Sequence, residues 1–275
     1  MIKIIINADD CGLNPEVNSA IDHALEIGAI SSTTILANAI YLDEVHRMAE
    51  RHPNASFGIH LNLTEGKSLT DSLIFRQRGI TDENGFFIRG NSKRCPNPDS
   101  ILAKAIFDEW NAQLDLLINK EHFTISHVDG HHHCHTWPGL EGILVVLMKK
   151  YGLTKTRNRY YSPNVNLRQK VISSVLQLLV SFSSVVPMLR KYTKNIILFN
   201  KYNRCLKDNA IITTDYFGSY DKLSKILVAV RLKDKVVELM CHPGNPLYLK
   251  EEQAVLQDVI GIKTGHYKLV SYLLL

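Results

Sequence analysis

Short apolar runs alternate with longer segments of helical spacing along most of this chain. Ile2–Ala8 is mostly apolar, which predicts a strand buried on both faces. Asn14 then suits an N-cap, with Pro15 at the first helical position and Glu16 in the first turn. Val17, Ala20, Ile21, Ala24 and Leu25 follow at helical spacing, and Gly28 predicts the stop. The next strand falls at Ser32–Asn38, and a helix at Leu42–His52 ends before Pro53. In Phe57–Leu63, the aliphatic Ile59, Leu61 and Leu63 alternate with Gly58, His60 and Asn62. A strand there places His60 and Asn62 together on the face opposite the aliphatics.

The alternation continues beyond an irregular stretch at 64–97, where Asn84-Gly85 signals a turn. Asp99 predicts the cap of a helix running to about Asn119. A strand at Phe123–Asp129 and a helix at Gly139–Tyr151 follow. The region 155–210 is read as carrying an insertion, and Ile211–Thr214 and Val236–Met240 as the last strands. No repeat or Gly/Ser linker divides the chain. The pattern predicts an α/β fold with a largely parallel sheet, and the length suits a single barrel-like domain over 1–275. In such folds the carboxyl ends of the strands share one face, and ligands bind there. Asp9 and Asp10, His60, a histidine run after Asp129, and His242 all fall toward strand ends. Their predicted convergence is the main argument for an enzyme.

Composition narrows the classes. The chain has 275 residues, 45% hydrophobic, enough for a substantial core. A net charge of +5 is scattered rather than blocked, which argues against a nucleic-acid surface. The five cysteines are odd in number, widely spaced and without a CxxC, which argues against a disulfide framework or a cysteine zinc site. The strand-like start lacks the features of a signal peptide, so a reducing, cytoplasmic setting is expected. Val171–Leu189 carries no charge and has the length of a membrane span. Its five serines, Gln177 and Pro187 instead predict a helix packed on the protein or covered by a second copy, as in a homodimer.

Several residues can carry chemistry, each with a plainer alternative. Asp9-Asp10 can divide metal binding and proton transfer, or simply cap a turn before Gly12. His60 can ligate a metal or sit hydrogen-bonded at the core edge. His127-Val-Asp-Gly-His-His-His-Cys-His135 has five histidines in nine residues, and apolar Ile125 and Val128 lead into it. Gly130 permits a turn that aims one histidine inward, with His131 the chosen ligand and Asp129 a carboxylate partner for an imidazole. His242, before Pro243-Gly244, can act as a general acid or only shape the turn. Arg157 and Arg159 can orient a substrate or a catalytic carboxylate, or lie in a surface loop.

Five ordered motifs resemble those of the YdjC-like carbohydrate deacetylases, a family that includes chitooligosaccharide deacetylases. They are Asn7-Ala-Asp-Asp-Cys-Gly-Leu13, Ser32-Thr-Thr with Asn38, Gly58-Ile-His-Leu-Asn-Leu-Thr-Glu-Gly66, the histidine run, and Glu238-Leu-Met-Cys-His-Pro-Gly244. The resemblance implies a distorted (β/α)-barrel-like fold related to polysaccharide deacetylases. It implies that Asp10, His60 and His131 hold one divalent ion, with Asp9 as base, His242 as acid and Arg157 near the substrate. The substrate implied is a small N-acetylated amino sugar or chitooligosaccharide, which loses acetate. Zinc, magnesium, cobalt, nickel and manganese all remain open, the nitrogen donors suiting magnesium least. Cys11 stands where the family usually has a bulky aromatic, so an altered pocket floor is expected. Competing readings are a non-haem iron oxygenase, a metallohydrolase such as a phosphoesterase with another substrate, and a non-enzymatic metal-binding protein.

Overall fold

The structure, a computed structural model, describes residues 2–159, 187–220, 235–257 and 267–275. Strand β1 (Lys3–Cys11) runs through the middle of the sheet, buried at every position after Lys3. Burial on both faces is what its apolar run requires. Its parallel neighbours are β2 (Ser32–Leu36) and β8 (Val236–Cys241). Beyond β2 lie β3 (Ser56–Leu61), β4 (Val128–Gly130), β5 (Lys155–Thr156) and β6 (Ile212–Thr213). Beyond β8 lies β7 (Tyr216–Ser219). A short β9 (Lys268–Leu269) pairs the first residues of β1, ahead of the point where β2 joins.

Every pairing between these named strands is parallel. The sheet is curled. β6 and β7 sit at its opposite ends, yet only Thr214 and Asp215 separate them in the chain. Three Cα steps span at most about 11 Å, so the two edges must curve toward each other as in a partial barrel.

Helices connect the strands. In α1 (Pro15–Glu26), Asn14 Oδ1 accepts from Val17 N at 2.8 Å, the cap its sequence predicts. Gly28 ends it at φ +72°. Then come α2 (Leu42–Arg51) and the short α3 (Leu73–Gln77) and α4 (Asn91–Arg94). α5 (Ser100–Asp115) is capped by Asp99 and continues into a π-helical turn, Leu116–Lys120. α6 (Glu141–Lys150), α7 (Pro187–Asp208) and α8 (Leu249–Gln257) complete the set among the described residues. The Asn84-Gly85 turn forms, with Asp82 Oδ1 accepting from Asn84 N and Phe86 N, and antiparallel bridges flank it.

One expectation is revised. The strand expected at Phe123–Asp129 shrinks to Val128–Gly130 because Phe123 N bonds back to Leu117 O and its ring enters the core. The apolar segment Val171–Leu189 lies outside the described residues up to position 186, and Pro187 begins α7. Among the described residues, no helix is long and apolar enough to cross a membrane.

Candidate active site

The carboxyl ends of β1, β3, β4 and β8 open onto a cavity of about 640 Å3, lined in part by Asp9, Asp10, His60, His131 and His242. Two successive carboxylates reach it because β1 breaks its regular geometry there. Its register against β2 shifts between Ala8 and Cys11, and Asp10 takes φ +69°. Left-handed backbone in a non-glycine residue is costly and persists only where the surroundings enforce it.

His60 is set by strand register. It lies opposite Asp129 across β3 and β4, so their side chains share a face. His60 Nδ1 and Asp129 Oδ1 are 2.5 Å apart, and Thr34 Oγ1 donates to Asp129 Oδ2 at 3.1 Å. An acceptor on Nδ1 leaves His60 Nε2 directed at Asp10 Oδ1, 3.4 Å away. His131 begins a turn in which His132 and His133 are both left-handed. Its Nδ1 lies 2.8 Å from the same Asp10 oxygen, without the alignment of a hydrogen bond, and Asp10 Oδ1 is buried with no hydrogen-bond partner among the described residues.

One ligand atom from each of Asp10, His60 and His131 lies within 4.8 Å of the others. Two imidazole nitrogens and an orphaned carboxylate oxygen facing a common point fit a divalent ion. The fields are consistent with this. Burial raises the Asp10 pKa, but His131 and His60 outweigh it and hold the carboxyl well below its usual range. Burial disfavours a charged His60, yet Asp129, then Asp10, push it up to about 10. His131 likewise rises against burial to about 9, through Asp10 and Glu65. An ion binding here displaces those protons.

Asp9 is held from below. Arg157 donates from Nη1 to Asp9 Oδ2 at 2.8 Å and from Nη2 to Oδ1 at 2.6 Å, and Asn7 Nδ2 donates to Oδ1 at 2.9 Å. Burial pushes the Asp9 carboxyl up, but the Arg157 charge and hydrogen bonds prevail and hold it far below the usual range. The guanidinium also donates from Nε to Glu238 Oε1 at 2.7 Å and meets Asp129 Oδ2 at 2.8 Å. Tyr272 OH donates to the other Glu238 oxygen. At the opposite wall, His242 Nδ1 is 3.1 Å from Glu251 Oε2 on α8, and its ring stacks on Tyr248 at 4.3 Å. Gly244, at φ +75°, lets this turn dock on α1, where a Cβ would come within 2.6 Å of Glu16 O.

The family model described as YdjC-like protein matches residues 3–264. This chain belongs to the YdjC-like family. A carbohydrate deacetylase of Vibrio parahaemolyticus is 26% identical over 264 residues, covering 94% of this chain and 86% of that protein. A carbohydrate deacetylase of Vibrio cholerae is 35% identical over 153 residues, 54% of this chain and 56% of that protein. A crystal structure from Enterococcus faecalis, provisionally described as a cellobiose-phosphate cleavage protein, superposes with TM-score 0.67 at 22% identity. It covers 98% of this chain and 97% of its own, and it shows that the curled parallel fold is shared.

In this YdjC-like chain, Asp9, Asp10, His60, His131 and His242 meet at one cavity. Arg157 does not line it. Its side chain is fully buried rather than part of a surface loop, and its donors go to Asp9, Asp129 and Glu238, which orients the Asp9 carboxylate. Arg159 turns away to the Thr136 carbonyl. Cys11 is not a pocket floor either. Its side chain is buried in the main core.

The histidine run of this YdjC-like chain divides its labour. His127 stacks on Tyr272 at 3.7 Å and lies so close to Gly58 that a Cβ there would approach its ring to 2.5 Å. His132 bonds Thr64 Oγ1 at 2.9 Å, and His135 is buried against Tyr202. Sequence reasoning assigned no role to Glu65, Phe86, Tyr248, Glu251 or Tyr272. Glu65 and Glu238 stood inside quoted motifs, whereas nothing local marks Glu251 or Tyr272.

Proposed function

We propose that this protein is a metal-dependent hydrolase that removes the N-acetyl group from a small amino sugar or short chitooligosaccharide. The observation that carries the reading is the placement of Asp9 and His242 in one cavity with the Asp10, His60 and His131 donor set. The naming of curated relatives as carbohydrate deacetylases supports the substrate class. A divalent ion held by Asp10, His60 and His131 would supply Lewis-acid polarisation of the acetyl carbonyl and acidify water.

This chain's residues account for the proton movements. Asp9 accepts a proton from water as its oxygen bonds to the acetyl carbon. The bidentate Arg157 grip fixes the direction of the carboxylate. The amine cannot leave well as an anion, so His242 gives its proton to the nitrogen as the C–N bond breaks. Glu251 holds His242 Nδ1, which leaves Nε2 as the nitrogen that delivers it. Acetate and a free amino sugar result.

The test is acetate release from N,N′-diacetylchitobiose and longer N-acetylglucosamine oligomers. Metal-stripped protein is assayed with zinc, cobalt, nickel, manganese or magnesium restored, beside Asp9→Asn. Release that requires metal and drops a hundredfold or more in the variant supports the reading. No release from any oligomer with any metal refutes it.

A further inference from the structure

The motif Asn62-Leu-Thr-Glu-Gly66 contributes nothing to the proton chemistry above, yet it is tightly built. Asn62 Oδ1 accepts from Thr64 N at 2.8 Å and Glu65 N at 3.2 Å. Asn62 Nδ2 donates to Glu65 O at 2.7 Å, and Asn38 Nδ2 donates to the same oxygen at 2.9 Å. The backbone of Glu65 is thus held at both N–H and C=O by two asparagine amides. Gly66, at φ +73°, closes the turn where a Cβ would stand 2.9 Å from Asn38 Nδ2. What this loop presents is the Glu65 carboxylate, with Oε2 3.1 Å from His131 Nε2.

The two histidines of the donor set offer opposite nitrogens. His60 offers Nε2 and rests Nδ1 on buried Asp129. His131 offers Nδ1 and rests Nε2 on Glu65. A carboxylate can only accept, so the nitrogen it holds must carry the proton and the other is free to ligate. Asp129 is taken up with His60, Thr34 and Arg157, and the carboxylate that meets His131 Nε2 is Glu65.

We propose that Glu65 is a positioning residue of the metal centre: its carboxylate holds His131 Nε2–H, which turns the Nδ1 lone pair toward Asp10 and His60. The two asparagines fix the backbone from which that carboxylate projects, so Asn38 and Asn62 act through Glu65. The inference rests on the metal-binding part of the proposed function and is independent of the sugar.

The experiment is zinc titration of metal-stripped protein against a chelator of known affinity, comparing wild type with Glu65→Ala and Glu65→Gln. Melting of the metal-free proteins is followed in parallel. The Glu65 side chain is about half exposed (55%), so metal-free melting should be unchanged. The alanine variant should bind zinc about ten- to a hundredfold more weakly. Glutamine keeps an acceptor without the charge and should fall between, with one ion per chain throughout. Wild-type affinity in the alanine variant overturns the proposal and leaves the metal site standing. Two ions per wild-type chain, with the second lost on removing Glu65, also overturns it, by making Glu65 a ligand beside His131 and His132. Wild-type protein that binds no zinc overturns the metal reading itself, and the proposal with it.

Discussion

Replacing Arg157 with methionine would strand three carboxylates in the interior. Asp9, Asp129 and Glu238 all contact its guanidinium at 2.6–2.8 Å, and none exposes more than 3% of its surface. Removing one partner of a buried ion pair costs about 3–5 kcal/mol. The penalty has a defined pH dependence. In the wild type the Asp9 carboxyl is held far below its unfolded pKa, with Arg157 outweighing burial. That stabilisation is present above the unfolded pKa and is lost as pH falls through the folded one. With methionine, burial of Asp9 is opposed only by the nearby histidines and the Asn7 amide, so that carboxyl takes up a proton more readily. The difference between variant and wild type should therefore be largest near pH 7 and shrink toward pH 4.5. Urea unfolding of the metal-free proteins at both pH values measures it. Arg157→Lys, which keeps a charge but not the bidentate fork, should lie between the two and guards against a methionine variant that does not fold. A penalty below about 1 kcal/mol at pH 7, or one equal at both pH values, would refute the reasoning, because the cost of breaking a buried ion pair would then be absent.

Further outcomes follow from neighbouring contacts. Burial disfavours protonated His242, but Glu251, Asp9 and Asp10 raise its pKa above the usual value; Glu251→Gln should move the alkaline limb of kcat to lower pH, and an unmoved limb would remove Glu251 from the role given it. Tyr272→Phe leaves a buried Glu238 oxygen without its donor, which should cost about 1–3 kcal/mol in denaturant unfolding; a neutral result would show that the C-terminal segment does not support the Arg157 cluster. Gly58→Ala pushes a methyl into the His127 ring and should destabilise by about 1–3 kcal/mol, checked by thermal melting. His60 and His131 must release protons to ligate, so zinc affinity should fall as pH drops from 8 to 6, by up to about a hundredfold per unit; pH-independent binding in chelator competition would contradict this.

The β1–α1 unit was legible because its signals are local: an apolar run, Asn14 as cap, Pro15, and Gly28. The candidate site was legible for a different reason. Each of its chemical side chains sits at the end of a recognisable strand, and parallel topology brings such ends together. What stayed hidden depends on distant partners. Arg157 reads as a loop residue because its carboxylates lie 148, 28 and 81 positions away. Glu251 and Tyr272 matter only through what the fold sets beside them. Gly12 announces a turn after β1, but the left-handed backbone also falls on Asp10, which no local signal marks. Phe123 has the composition of a strand residue but is claimed by the end of a helix, a tertiary preference that periodicity does not carry.

The order of strands across the sheet has a bearing on how the protein is made. β1 to β4 are contiguous neighbours and come from residues 3–130. Asp10, His60 and His131, the proposed donors, are therefore synthesised within the first half of the chain. β8, which flanks β1 on its other side and leads into His242, is translated more than a hundred residues later, and Tyr272 later still. Long-range pairing of this kind is the slow part of folding. On the ribosome, the strands that carry or lead into Asp9, Asp10, His60 and His131 are thus made well before the strand that leads into His242, and the cavity they share gains its last wall only when β8 joins β1.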